Sequence, residues 1–276
     1  MTKFWIGFAL LVFGGAAWGQ APAYAADGMV NASDYSGGPF APNSVVSLFG
    51  SNMAWSAQGI TLNDIQAARL PTSLGGVQVY VTGWPAPLFY VSATQINFLI
   101  PINRVAGAVT VRVVREGVTG PEAPVTLVDA APALFDSPAD PGYALAQEWP
   151  SYSLIAPDSP ASPGDLVILY ATGLGNTQND PSTPDQIPQY PSKILNFNDL
   201  QVFLGTEQVD PANVLWAGFS PGNAGLYQVN LYLPADTGPD PEIRLLMGSQ
   251  PSAAGIKLAV QTGGVPGPQR KPAGGR

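Results

Sequence analysis

Residues 95 to 101 read QINFLIP, and residues 228 to 234 read QVNLYLP. In both, apolar side chains alternate with amides and a proline ends the run. Successive side chains of a strand point to opposite faces. Ile96, Phe98 and Ile100 therefore share one face, as do Val229, Leu231 and Leu233, while Gln95, Asn97, Gln228 and Asn230 take the other. Proline has no N–H to give to a ladder, so Pro101 and Pro234 close the strand. A chain that carries one half-buried strand twice is constrained to build the same sheet twice.

The echo runs well beyond this heptad. SVVSLFGSNM (44–53) aligns with DLVILYATGL (165–174), and GVQVYVTG (76–83) with DLQVFLGT (199–206), which sets Gln78 over Gln201. APLFYV (86–91) lies over ANVLWA (212–217), which sets Tyr90 over Trp216. The order is preserved and the offset grows along the chain, as when loops absorb the insertions. One such insertion is GFSPGNAG (218–225). With 31 glycines and 29 prolines there are turn residues enough for many short strands and no long helical period. The expected fold is all-β: two tandem immunoglobulin-like β-sandwich domains from an internal duplication, over residues 28–131 and 132–262. One larger sandwich or a barrel is the alternative. TLNDIQAARL (61–70) is the single stretch that reads as a helical turn.

The ends differ from the middle. Lys3, the apolar run at residues 4–19 and the small-x-small triplet Ala23–Ala25 predict a signal peptide over residues 1–25. The apolar run falls short of the roughly 20 residues that span a bilayer. The mature chain is expected to be exported and without a transmembrane segment, placed outside the cell, on its surface or in a bacterial periplasm. Residues 263–276, rich in glycine and proline, read as a disordered tail.

Two missing residue types remove most chemistry. With no histidine and no cysteine in the sequence, Ser-His-Asp and Cys-His nucleophile systems have no members here. Zinc, copper and iron sites built on those ligands are excluded too. The net charge of -8 repels phosphate backbones, so nucleic acid is not an expected partner. Paired carboxylates need no histidine and leave glycoside hydrolysis open, yet most acids here stand beside turn formers, where aspartate caps the backbone. No catalytic residue is assigned. Calcium is the one cofactor left open, through the oxygen-rich loops DSPADPG (136–142) and NDPSTPD (179–185).

Trp55, Trp84, Trp149 and Trp216 lie near turns or strand ends, where a ring can stack on a sugar or a protein partner or cover the end of a core, and Trp55, Trp84 and Trp216 are taken as candidates. With Gln95, Asn97, Gln228 and Asn230 they form the set of candidate ligand or seam contacts. For the amides, a shared structural task such as lining the seam between domains competes with ligand binding.

APNSVVSLFGSNMA, LPTSLGGVQVYV, APLFYVSATQINFLIP, AAPALF, YATGLG and GLYQVNLYLP follow one another in that order. Together, over most of residues 38–262, they resemble the secreted family known as the Solibacter C-terminal domain, whose fold is similar to IPT/TIG immunoglobulin-like modules. The resemblance implies an extracellular, immunoglobulin-like module and carries over no catalytic or binding residue. Members usually close larger secreted proteins, whereas here the leader runs almost directly into the module. The expected function is a non-catalytic secreted or cell-surface module for protein interaction, adhesion or extracellular assembly. A carbohydrate-binding module using aromatics and amides is the alternative, and a carboxylate-dependent glycoside hydrolase stands behind both.

Overall fold

The computed structural model describes residues 19–261. Residues 1–18 of the predicted signal peptide and the predicted tail 263–276 lie outside them. In chain order the first half forms β1 (Ala23–Asn31), β2 (Val45–Ser51), β3 (Gln58–Gly59), β4 (Val77–Val81) and β5 (Trp84–Ala86). It continues with β6 (Leu88–Val91), β7 (Gln95–Leu99), β8 (Gly107–Arg115), β9 (Val118–Thr119) and β10 (Ala123–Leu127). The second half forms β11 (Ala133–Leu134), β12 (Ala146–Glu148), β13 (Leu166–Thr172), β14 (Leu200–Leu204) and β15 (Glu207–Gln208). It ends with β16 (Val214–Phe219), β17 (Tyr227–Tyr232), β18 (Ile243–Met247) and β19 (Gln250–Pro251).

These strands make two tandem immunoglobulin-like β-sandwiches. In the first, the sheet β1-β2-β7-β6-β3 packs on β10-β8-β4-β5 around a core running from Met29 to Leu127. In the second, β11-β13-β17-β16 packs on β15-β14-β18-β19 around a core that includes Leu134, Leu169, Phe219 and Leu258. The repeated strands explain the buried faces. Ile96, Phe98 and Ile100 are buried in one core, and Val229, Leu231 and Leu233 in the other.

The duplication holds residue by residue. Phe49, Leu48 and Ser47 pair with Gln95, Ile96 and Asn97; Tyr170, Leu169 and Ile168 pair with Gln228, Val229 and Asn230. Tyr80 faces Arg112 across β4 and β8, as Phe203 faces Arg244 across β14 and β18. Even an irregularity repeats. Between Leu88 and Tyr90 the ladder of β6 with β7 skips Phe89, and between Val214 and Trp216 that of β16 with β17 skips Leu215. Each is a bulge in which one extra residue opposes no partner.

Residues 61–70 form no helix. Ala67 and Ala68 take left-handed φ of 51° and 55°, and Arg69 pairs with Gln186 of the second half. Backbone bonds Leu70 N–H to Asp185 O (2.8 Å) and Ile187 N–H to Ala68 O (2.8 Å) hold this connection. Tertiary pairing with a loop distant in sequence outweighs the local helical preference, which is weak over ten residues.

The two halves also meet at a buried seam. The backbone N–H of Val45 donates to Thr172 Oγ1 (3.2 Å), and Asn43 Nδ2 donates to the phenol oxygen of Tyr227 (3.2 Å). Gly225, at φ +76°, closes the inserted loop 218–225 directly against the first sandwich. A methyl group there would stand 2.5 Å from Val45 Cγ2 and 2.6 Å from Leu99 Cδ1. The insertion in the second copy is therefore what carries that loop onto the first.

Candidate functional site

Strand parity puts the four amides on the outer faces of their sheets, away from the cores, but the two copies use them differently. In the first, Asn97 Oδ1 accepts from Ser47 Oγ (3.0 Å) and from Gln95 Nε2 (2.8 Å). Ser47 is buried, so this small network satisfies a hydroxyl that water does not reach. In the second copy Ile168 stands where Ser47 would, and the donor is gone. Asn230 Oδ1 is buried and receives no hydrogen bond among the described residues. One outer face is internally satisfied; the other leaves a buried acceptor unpaired.

That second face also gathers aromatic side chains. Trp149 N–H donates to Leu166 O (2.9 Å), which continues the pairing of β12 with β13, and Leu166 pairs in turn with Tyr232 on β17. Trp149, Leu166 and Tyr232 thus form a row across three strands. The next row is Gln147, Ile168, Asn230 and Trp216. Trp149 is 46% exposed and Tyr232 44%. Two strand spacings put them roughly 10 Å apart. Tyr152 meets Trp149 edge-on at 5.2 Å between ring centres, which fixes the indole. Gln147 ties the platform together: its Nε2 donates to Tyr152 O (2.9 Å), and its Oε1 accepts from the Tyr170 hydroxyl (2.6 Å). Burial holds that hydroxyl's pKa above the usual tyrosine value, with the neighbouring Tyr152 adding to the effect.

Trp216, half-buried at the far end of its row, lies over Gly218. A Cβ there would come within 2.7 Å of Trp216 Cζ2 and 2.1 Å of Ser192 O, so glycine is what lets ring and loop settle on the sheet. Gln228 sits one row beyond, half-buried between Tyr170 and Gly218. Three of the sequence candidates, Trp216, Gln228 and Asn230, therefore share one face. Trp149, Tyr152 and Tyr232 complete it. Their grouping depends on the edge strand β12, which belongs to no repeated segment, so no periodic signal pointed to it.

Trp55 and Trp84 stand apart. Both are exposed, at 60% and 50%, but Trp55 lies over Arg115, at the Val77 end of β4, and Trp84 pairs with Val81 at its other end. Each ring has a guanidinium over it: Arg115 at 3.9 Å from Trp55 and Arg104 at 4.7 Å from Trp84. Trp55 Nε1 also donates to Glu116 Oε2 (2.9 Å). The two rings share no flat surface, and arginine already occupies one face of each.

Arg115 itself was not singled out from the sequence, although alternation continues from Val111 and Val113 straight onto it. It is 2% exposed, an inward-pointing charge at the end of the first core. Backbone oxygens of Asn52 and Gln20 accept from its guanidinium.

Several of the aspartates serve turns. Asp136 Oδ1 accepts from Gly142 N–H (2.8 Å), and Asp180 Oδ1 accepts from Thr177 N–H (2.7 Å) and Oγ1 (2.8 Å). These lie in the two loops that suggested calcium. Asp64 caps Thr61 in the same way, and that bond from the Thr61 hydroxyl holds its carboxyl below the usual carboxylate range. Among the described residues no group of three or more acids gathers as a metal site, and no helix is long and apolar enough to cross a membrane.

No family model matches the chain, and no curated protein does. Similar solved structures include the surface glycan-binding protein PbSGBP-B of Prevotella bryantii, at 12% identity and a TM-score of 0.27 over 87% of this chain and 42% of that one. The Bacteroides ovatus mixed-linkage glucan utilization locus protein SGBP-B, solved with a heptasaccharide, is similar at 12% identity and a TM-score of 0.31, over 81% of this chain. The chain spans 42% of the length of each of these two proteins. The tandem immunoglobulin repeats of Dlar are similar at 13% identity and a TM-score of 0.19, over 80% of this chain and 91% of theirs.

Proposed function

We propose that the protein is a non-catalytic extracellular binding module and that it holds a protein partner through the outer face of the second sandwich. One observation carries this reading: Trp149, Tyr152 and Tyr232 stand half-exposed together, beside a sheet face whose other strand positions carry apolar, amide or hydroxyl side chains. Rigid aromatic rings with few rotors are the side chains that dominate protein interfaces. The leader-like N-terminus and the absence of histidine and cysteine support export and a non-catalytic role. Kinship with the Solibacter C-terminal domain family belongs to the same proposal and rests on the order of the six motifs.

The test is capture from the secreted fraction by the immobilised protein, compared with the W149A/Y232A double variant. Both residues lie at the surface, so melting should change little. Binding should weaken at least tenfold, as for interface anchors. Equal capture by both proteins rejects this face.

Asn230 favours a second reading. A sugar stacks its C–H face on an aromatic ring and presents hydroxyl donors at its edge; Trp149 and Tyr232 offer the rings, and Asn230 Oδ1, buried and unpaired one row away, is an acceptor that such a hydroxyl reaches where a covering side chain moves aside. Glycan-array binding that N230A abolishes would support it; an empty array would reject it.

A further inference from the structure

The first sandwich is completed by residues that a cut after Ala25 would remove. Gln20 O accepts from Arg115 Nη2 (2.6 Å), and Gln20 Oε1 accepts from Asn52 Nδ2 (3.1 Å). Pro22 is buried, and Ala23 and Tyr24 pair with Ser51 and Gly50 in the first rungs of β1 with β2. The Tyr24 hydroxyl donates to Pro121 O (2.5 Å) and accepts from the backbone N–H of Val113 (2.7 Å), so it bridges both sheets. Burial raises its pKa, in line with a phenol held protonated in that bridge.

The buried cation makes this segment matter most. Arg115 has no carboxylate partner among the described residues, and its Nε is already unbonded. Among the described residues, two backbone oxygens and the Trp55 ring offset its desolvation. Removing one partner of a buried charge is costly because the charge stays buried.

The sequence offers another place to cut. Residues 4–13 are densely apolar, and GGAAWG (14–19) follows with Ala17 and Gly19 in small-x-small spacing. We propose that the exported chain is cut after Gly19 and begins at Gln20, so that Gln20–Ala25 remain as the segment that seals Arg115 and bridges the two sheets. A signal peptidase hydrolyses the Gly19–Gln20 peptide bond with water, which leaves a carboxylate on the leader and an α-ammonium on Gln20.

The full chain exported from a secretory bacterial host is read by intact mass. The expected mass is that of a chain starting at Gln20, or that mass less one ammonia where the terminal glutamine has closed on its own side-chain carbonyl. A chain starting at Ala26, or an unprocessed chain, overturns the proposal. Ala17→Phe, which blocks the small-residue pocket of the peptidase, should abolish the Gln20 product. Ala23→Phe, at an exposed position, should leave it unchanged. Refolded chains starting at Gln20 and at Ala26 give a second reading. The shorter should melt on the order of 5–10 °C lower. Equal melting overturns the structural role of the segment.

Discussion

Asn43 of the first sandwich donates to the phenol oxygen of Tyr227 of the second (3.2 Å), and the Tyr227 hydroxyl in turn donates to Gly175 O (2.5 Å). All three residues are buried, so a single tyrosine hydroxyl satisfies a donor from one half and an acceptor from the other. Tyr227→Phe removes that oxygen and strands both partners. The expected loss is about 1–3 kcal/mol, measured by urea unfolding. A variant as stable as the parent would mean that water replaces the hydroxyl.

The same hydroxyl predicts an alkaline weakness. Burial raises the Tyr227 pKa well above its ordinary value, with Asp180 adding to the rise and the Asn43 bond opposing it. The fold therefore favours the protonated phenol. Its contribution is fully present below the ordinary tyrosine pKa of about 10 and is lost as pH rises beyond it. Melting temperature should fall between pH 9 and 11, and fall less steeply in Tyr227→Phe. Tyr24 and Tyr170 are shifted the same way, so some alkaline loss should persist in the variant.

The two asparagines of the repeated strand should behave differently despite their equivalent register. Asn97→Ala leaves buried Ser47 and the Gln95 amide without their acceptor and should cost about 1–2 kcal/mol. Asn230→Ala removes an oxygen that bonds to nothing among the described residues and should shift stability by no more than about 0.5 kcal/mol. Denaturant titration of the two variants side by side checks this. Equal losses would show that Asn230 has a structural partner after all.

Gly225→Ala tests the seam. The new methyl meets Val45 and Leu99 at a left-handed φ, and the expected cost is about 2 kcal/mol or more. Gly222→Ala, in the same loop with φ +80° and open space around it, should cost only about 1 kcal/mol. If unfolding of Gly225→Ala splits into two transitions, the loop is what couples the sandwiches.

Period-two alternation made the cores, the repeated strands and their mutual alignment readable, because which face is buried follows directly from parity. Gln95 and Asn97 could be placed on the outer face of their sheet for the same reason, but not the divergence of Asn97 from Asn230. That divergence depends on what stands across the ladder, serine in one copy and isoleucine in the other. The segment 61–70 was misread because its conformation is imposed by residues 185–187, which no local window contains. Trp149 could be read as a ring near a strand end, but not its grouping with Tyr152 and Tyr232, because β12 is only three residues long and joins the sheet only through pairing with β13. Arg115 was legible in principle: alternation along β8 points it inward, but a charged residue breaks the apolar signal by which such positions are found.

The skipped residues Phe89 and Leu215 carry a record of descent. A bulge at one alignment position in both copies was present in the ancestral half before the gene segment doubled, whereas the loop that ends at Gly225 is found in one copy only. Fold and distortion are thus shared inheritance, and the contact that joins the twins is private to one of them. Deleting Leu215 would straighten its ladder without turning any side chain to the wrong face, so this is a strand position at which the chain can lose a residue and keep its core.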